Sequence, residues 1–286
     1  IEDTLELLKE NGTTLVLGIR DVMDSPRLLK KEWAKKDMLD CIARYYDDIW
    51  VYGPQDFWDP LTGLNPGPDI SDKLRYTGFL ERKVPSSAKA PALPFDKPYF
   101  LVTAGGGGDG ADLMQWVLAA YEAEPNMPYP LLLVLGPFMP TEARDRIERC
   151  VDTLDNVELI DFDNRMEMIV SNAAAMIAMG GYNTFCETLS FDIPTLVVPR
   201  VKPREEQYIR TKRAADLGLV DMLLPEDAAD PHKVIEALKS LAKRPRPSQA
   251  NQRNLLGGLD AIGTYVEEHL SHRHHFPDLR VVDNTG

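Results

Sequence analysis

A chain of 286 residues, 44% hydrophobic and 27% charged, has the composition of a globular protein large enough for one big domain or two small ones. Its 45 acidic residues outnumber 32 basic ones, for a net charge of −13. That balance argues against nonspecific binding to nucleic acid or anionic lipid, but not against an anionic nucleotide held by local amides. Cys41, Cys150 and Cys186 are far apart without metal spacing, which fits a reduced cytoplasmic setting, and no apolar run approaches the ~20 residues that span a bilayer.

The chain opens at Ile1 without a signal-like n-region, which reads as a truncated or processed start. Helical periodicity over Ile1–Glu10 stops at Asn11-Gly12. A strand at Thr14–Gly18 leads to Arg20-Asp21 and to a helix start with Ser25 as N-cap and Pro26 at N1. Leu28–Tyr46 reads as mostly helical, Ile49–Tyr52 as a strand, Gln55–Asp59 as a turn, Asn65–Asp69 as a loop and Arg75–Phe79 as a strand. Residues 1–80 thus look like the tail of a partial, N-terminal Rossmann-like domain. The Pro-, Ser- and Ala-rich stretch 81–97 is a linker or a long surface loop.

Over 98–245 strands and helices alternate. Strands are expected at Tyr99–Thr103, Leu131–Leu135, Val157–Ile160, Ala173–Met179, Thr195–Val198 and Leu219–Leu224. Helices are expected at Ala111–Glu124, Thr141–Leu154, Arg165–Ser171, from the 180–184 turn to Phe191, after the charged loop 201–207, and at Pro231–Ala242. Such alternation predicts an α/β fold with a parallel sheet and right-handed crossovers. Pro245 and Pro247 break the chain, Ser248–Leu270 reads as a C-terminal helix (within 246–271) able to cross back to the first domain, and 272–286 reads as a mobile tail. His272, His274 and His275 fit a solvated tail better than a metal site, and His232 fits a structural role.

Two glycine turns carry the chemistry. In AGGGGDGAD (104–112), Gly106, Gly107 and Gly108 follow a strand and open a helix; they bring amides close to a diphosphate, or simply make a tight turn. Gly180-Gly181 ends another strand, with Asn183 and Thr184 at the next helix start as phosphate donors or plain caps. Thr184 and Glu187 have capping-box spacing. Glu187 is therefore either a cap partner or a carboxylate placed to accept from both hydroxyls of a ribose. Both turns fall on the strand ends where open α/β sheets bind ligands, and together they suggest a nucleotide.

The run GGYNTFCETLSFDIPTLVVPR followed by KPREEQ resembles the donor-site signature of GT-B glycosyltransferases of the family-28 type, which move N-acetylglucosamine to lipid-linked muramyl peptide. Asp192-Ile193-Pro194 stands where that family usually has Gly-x-Pro, and the resemblance covers roughly Pro98–Leu241. It implies a Rossmann-like donor domain, an acceptor-side role for residues 1–80, a nucleotide-sugar donor (UDP-linked), inverting displacement, and an unidentified lipid-linked or saccharide acceptor. It also leaves open a peripheral position at the inner face of the membrane. By resemblance, Glu187 takes the ribose, Phe162–Arg165 forms the nucleobase loop, and Lys202, Arg204, Glu206 and Gln207 form the sugar- and phosphate-contacting loop, otherwise a solvated charged loop. No cofactor is implied, and without an Asp-x-Asp pair no obligatory divalent cation is expected. No general base can be named; Arg20 and Asp21 are the only interdomain candidates. Two alternatives stand beside this one: a nucleotide-sugar 2-epimerase or hydrolase on the same fold, and a donor-binding subunit needing a partner chain or a missing N-terminal segment.

Overall fold

The computed structural model describes residues 1–86, 91–106, 108–251 and 254–272. The N-terminal part contains α1 (Glu2–Glu10), β1 (Val16–Arg20), α2 (Pro26–Ala34), α3 (Met38–Tyr45), β2 (Asp48–Tyr52), α4 (Pro68–Ser71) and β3 (Leu74–Tyr76). Its strands form a parallel three-stranded sheet in the order β1-β2-β3. The long helix expected over Leu28–Tyr46 is broken into α2 and α3 at Asp37, whose φ of 46° is left-handed. Ile19, Leu29, Trp33, Ile42, Ile49 and Val51 form this unit's core.

After the connecting segment come β4 (Phe100–Thr103), α5 (Ala111–Ala123), β5 (Leu131–Val134), α6 (Thr141–Val151), β6 (Val157–Ile160), α7 (Met166–Ser171), β7 (Ala175–Ala178), α8 (Tyr182–Ser190) and β8 (Thr195–Val197). The chain continues through α9 (Glu206–Asp216), β9 (Asp221–Met222), α10 (Pro225–Ala228), α11 (Pro231–Leu241), α12 (Pro247–Ala250) and α13 (Gly258–His272). The six strands are all parallel, in the order β6-β5-β4-β7-β8-β9. Every residue of β4, β5 and β7 is buried, as strands covered on both faces must be. Alternation along β4 splits the core into two layers. Phe100 and Val102 pack with Leu113, Val117 and Leu238, while Tyr99 and Leu101 pack with Ile169, Val170 and Met176 on the opposite face.

Two more expected elements differ. The sixth strand is only Asp221–Met222, because β9 is an edge strand paired to β8 alone. The helical stretch expected over Ser248–Leu270 is two pieces. Between α12 and α13 the backbone at Leu256 instead bridges to Phe79, and the Phe79 amide donates to the Leu255 carbonyl at 2.8 Å. The α13 helix lies against the three-stranded sheet: Arg75 pairs with Glu268 at 2.5 Å, Asp48 contacts His269 at 2.8 Å, and Tyr265 donates to the Tyr76 carbonyl at 3.2 Å. The tail at 273–286 lies outside the described residues.

Between the sheets sits an aromatic cluster. Phe57 and Phe79 from the N-terminal part meet Phe185 and Tyr182 of α8, with ring centroids 5.0 to 6.2 Å apart. Aromatic pairs at such spacings add roughly 0.5–1.5 kcal/mol each beyond area burial. Both units are thereby anchored to the helix that follows the Gly180-Gly181 turn.

Candidate functional site

The chain winds outward from β4 through β5 to β6, then returns to start β7 beside β4 and winds the other way through β8 to β9. The gap between the carboxyl ends of β4 and β7 is thus the switch point, the position where ligands enter open α/β sheets. The 104–110 glycine loop leaves β4 there, and the Gly180-Gly181 turn leaves β7 there. Gly110 is sterically obligatory, since a Cβ on it would lie 1.9 Å from the Ala104 Cβ. Gly180 has φ +77°, and a Cβ on it would meet the Thr211 hydroxyl at 2.6 Å. The Phe138 amide donates to the Gly106 carbonyl at 2.9 Å, and Gly108 lies two residues on; Gly107 lies outside the described residues.

Helix α8 begins at Tyr182 with Gly181 as N-cap in extended conformation. Thr184 is therefore the third helical residue and Glu187 the sixth, so the capping-box reading of that pair is wrong. A capping glutamate must reach back to the N-cap amide from the third position. Glu187 instead sits mid-helix on the face formed by Asn183 and Ser190, which is crossed by the connecting segment. Arg82 Nη2 donates to the Asn183 side-chain oxygen at 3.0 Å, and the Arg82 amide donates to Ser190 Oγ at 2.8 Å. Among the described residues the Glu187 carboxylate has no hydrogen-bond or ion-pair partner. Burial pushes its pKa up to about 7, Arg82 pulls the other way, and Glu167 adds to the rise.

The loop after β8 is tied in on both sides. Arg200 reaches Asp109 of the glycine loop at 2.7 Å and Glu206 at 2.6 Å, and its amide donates to Gln207 Oε1 at 3.0 Å. Glu206 Oε2 and Arg200 Nε are buried there without hydrogen-bond partners. Arg204 extends to the N-terminal part, to Glu32 at 3.1 Å and Asp24 at 3.6 Å. Thus Arg204, Glu206 and Gln207 form a bonded scaffold rather than a free loop. Phe162 is 54% exposed after β6, beside Asp163, whose carboxylate is held below its ordinary pKa by a hydrogen bond from Arg165.

Arg20 and Asp21 part company. Asp21 is fully buried and takes three hydrogen bonds from Arg210 of α9, at 2.7 to 3.1 Å. The same guanidinium donates to the carbonyls of Gly180 at 3.1 Å and Val22 at 3.3 Å. Asp21 so engaged is an interdomain anchor, not a free base. Arg20 is exposed and lies 5.6 Å over the Tyr182 ring. Sequence reasoning missed Arg210, Arg200 and Arg82. Little local marks them, because Asp21, the partner of Arg210, lies 189 residues away, and of the two acids on Arg200 one, Asp109, lies 91 away.

A cavity of about 560 Å³ opens between the two sheets, lined by Arg20, Trp33 and Glu32 on one side and by Gly181, Tyr182, Arg200, Glu206 and Gln207 on the other. Among the described residues no helix is long and apolar enough to cross a membrane, and no group of three His, Cys, Asp or Glu side chains is placed to hold a metal ion.

Comparison with known proteins agrees with this architecture. An uncharacterized glycosyltransferase of Methanosarcina acetivorans is 28% identical over 136 residues, 48% of this chain and 33% of the relative. The UDP-N-acetylglucosamine–N-acetylmuramyl-(pentapeptide) pyrophosphoryl-undecaprenol N-acetylglucosamine transferase of Thermosipho melanesiensis is 26% identical over 98 residues, 34% of this chain and 29% of that one. The chain therefore spans about a third of the length of the curated relatives it matches. Among solved structures, a calicheamicin glycosyltransferase superposes with a TM-score of 0.62 at 16% identity, covering 96% of this chain and 71% of that one. S. aureus MnaA with UDP gives 0.64 at 14%, covering 96% and 74%. These likenesses show the GT-B fold. Residues 101–262, more than half of the chain, match the model of the glycosyltransferase family 28 C-terminal domain, a transferase domain, and the chain belongs to that family.

Proposed function

We propose that this chain is the donor-binding part of a nucleotide-sugar glycosyltransferase, with the nucleoside diphosphate seated at the β4/β7 switch point. The observation that carries the reading is the convergence there of two glycine turns and the α8 N-terminus, with an unpartnered Glu187 carboxylate less than two turns into the helix. Amides of the glycine loop and of the first turn of α8 would hold the diphosphate, and the helix dipole would favour its charge. Glu187 would accept from the ribose hydroxyls, and Phe162 would border the base. UDP is the first nucleotide to test, because it is named with one of the solved neighbours. The sugar would project into the 560 Å³ cavity, where Glu206 and Gln207 line one wall and an acceptor hydroxyl would approach from the N-terminal side. Transfer with inversion, a lipid-linked or saccharide acceptor and a cytoplasmic setting complete the proposal; the muramyl-peptide relative supports the acceptor class.

The test is isothermal titration of the chain with UDP, dTDP, GDP and ADP, then of Glu187→Gln with the best ligand and its 2′,3′-dideoxy form. A ribose-binding Glu187 makes charge-assisted hydrogen bonds worth ~1.5–3 kcal/mol, so removing the hydroxyls should weaken wild type roughly 10- to 100-fold and barely affect the variant. Equal losses in both proteins would remove Glu187 from the ribose site. No binding of any of the four would sink the nucleotide reading.

A further inference from the structure

Four arginines line the cavity between the sheets, and three are neutralised within the chain. Arg210 is paired to Asp21, Arg204 to Glu32 and Asp24, and Arg200 to Glu206 and Asp109. Among the described residues Arg20 has no carboxylate within ion-pair distance. The acids on the elements facing it are already committed: Asp21 to Arg210, Glu206 to Arg200, and Glu32 to Arg204 and Lys36.

Its position gives the unpaired charge a direction. Arg20 ends β1, and its guanidinium lies 5.6 Å over the ring of Tyr182, the first residue of α8. That ring is a fixed platform, only 5% exposed, with Arg210 at 5.8 Å from its centroid and Phe79 at 6.2 Å. Gly181, the N-cap of α8, lines the same cavity as Arg20. A cation stacked on the ring of the first helical residue therefore shares its cavity with the N-terminus of that helix. An exposed arginine with no acid partner has its five donors available to a phosphate, in the fork geometry that suits one.

We infer that Arg20, carried by the three-stranded sheet, is a binding residue for the diphosphate of a nucleotide seated at the α8 N-terminus. This rests on the nucleotide reading given above and adds a contact from the opposite side of the cleft. Full donor affinity then requires residues from both sheets. The same cation could instead serve an anionic acceptor, and the choice of ligands separates the two.

Isothermal titration of the whole chain would compare wild type, Arg20→Ala and Arg20→Lys. The ligands are whichever of UDP, dTDP, GDP and ADP wild type binds best, and the matching nucleoside. Arg20→Ala should weaken the diphosphate about 10- to 100-fold, the value of one or two charge-assisted hydrogen bonds, leave the nucleoside within about twofold, and be partly rescued by Arg20→Lys. Retained nucleoside binding also reports that the variant is folded. Unchanged diphosphate affinity in Arg20→Ala would overturn the inference and leave the cation to an acceptor. Parallel losses for diphosphate and nucleoside would overturn it too, as would the failure of Arg20→Ala to fold. If wild type binds none of the four nucleotides, the nucleotide reading falls first and this contact with it.

Discussion

The Asp21–Arg210 pair joins the two halves of the molecule at a point where neither side chain touches solvent, their exposures being 0% and 1%. Removing either partner alone leaves an uncompensated buried charge, which costs about 3–5 kcal/mol. Asp21→Leu strands the guanidinium, whose remaining acceptors among the described residues are the carbonyls of Gly180 and Val22. Arg210→Met strands the carboxylate and also takes the donor from Gly180, the turn on which the α8 N-terminus rests. The double variant Asp21→Leu/Arg210→Met removes both charges. Apolar replacements of buried pairs are often neutral or better, but here two carbonyls lose a donor, at ~1 kcal/mol each. The double variant should therefore lose about 1–2 kcal/mol, far less than the sum of the singles. Urea denaturation followed by circular dichroism measures all three, and the cycle isolates the coupling. If the losses simply add, or if either single variant is nearly neutral, the pair is not buried as described.

The unpartnered Glu187 makes stability pH-dependent. Its pKa is raised to about 7 in the folded chain, above the unfolded value of 4.5, so its contribution is fully present below pH 4.5 and lost as pH rises through about 7. Glu187→Gln should match wild type in acid and exceed it at pH 8, by at most roughly 3 kcal/mol; parallel stability curves would contradict the burial. Nucleotide affinity should fall below pH 7, because a protonated Glu187 cannot accept from both ribose hydroxyls, and titration at pH 6 and pH 8 checks this. Gly110→Ala should cost about 1–3 kcal/mol through overpacking against Ala104, read from the denaturation midpoint; a neutral result would mean the loop ends do not approach so closely. Nucleotide binding should survive EDTA, and its loss with restoration by magnesium or manganese would show that a metal supplies the phosphate contacts.

Regular structure was legible wherever the physics is local. The apolar runs of β4, β5 and β7 need burial on both faces, and the β-α alternation between them leaves a parallel sheet as the outcome. The breaks at Gly180-Gly181 and Pro194 likewise bound α8 close to where it is found. The KPREEQ loop and Glu187 could be singled out from their order along the chain, but their bonding could not. Whether Glu187 caps a helix depends on where α8 starts. That start is Tyr182, directly after the Gly181 N-cap, with Tyr182 and Phe185 packed into the aromatic cluster beside Phe57 and Phe79, more than 100 residues earlier. In the same way, Ser248–Leu270 reads as one helix, yet α12 ends at Ala250, and Leu255–Leu256, before α13, bond to Phe79 instead. Charged residues were the least legible. An arginine reads alike in sequence whether solvated, as Arg20 is, or buried, as Arg210 is. Only the arrival of Asp21, the residue after β1, at Arg210 decides between them, since burial of that arginine is tolerable because a carboxylate comes to it from the other sheet.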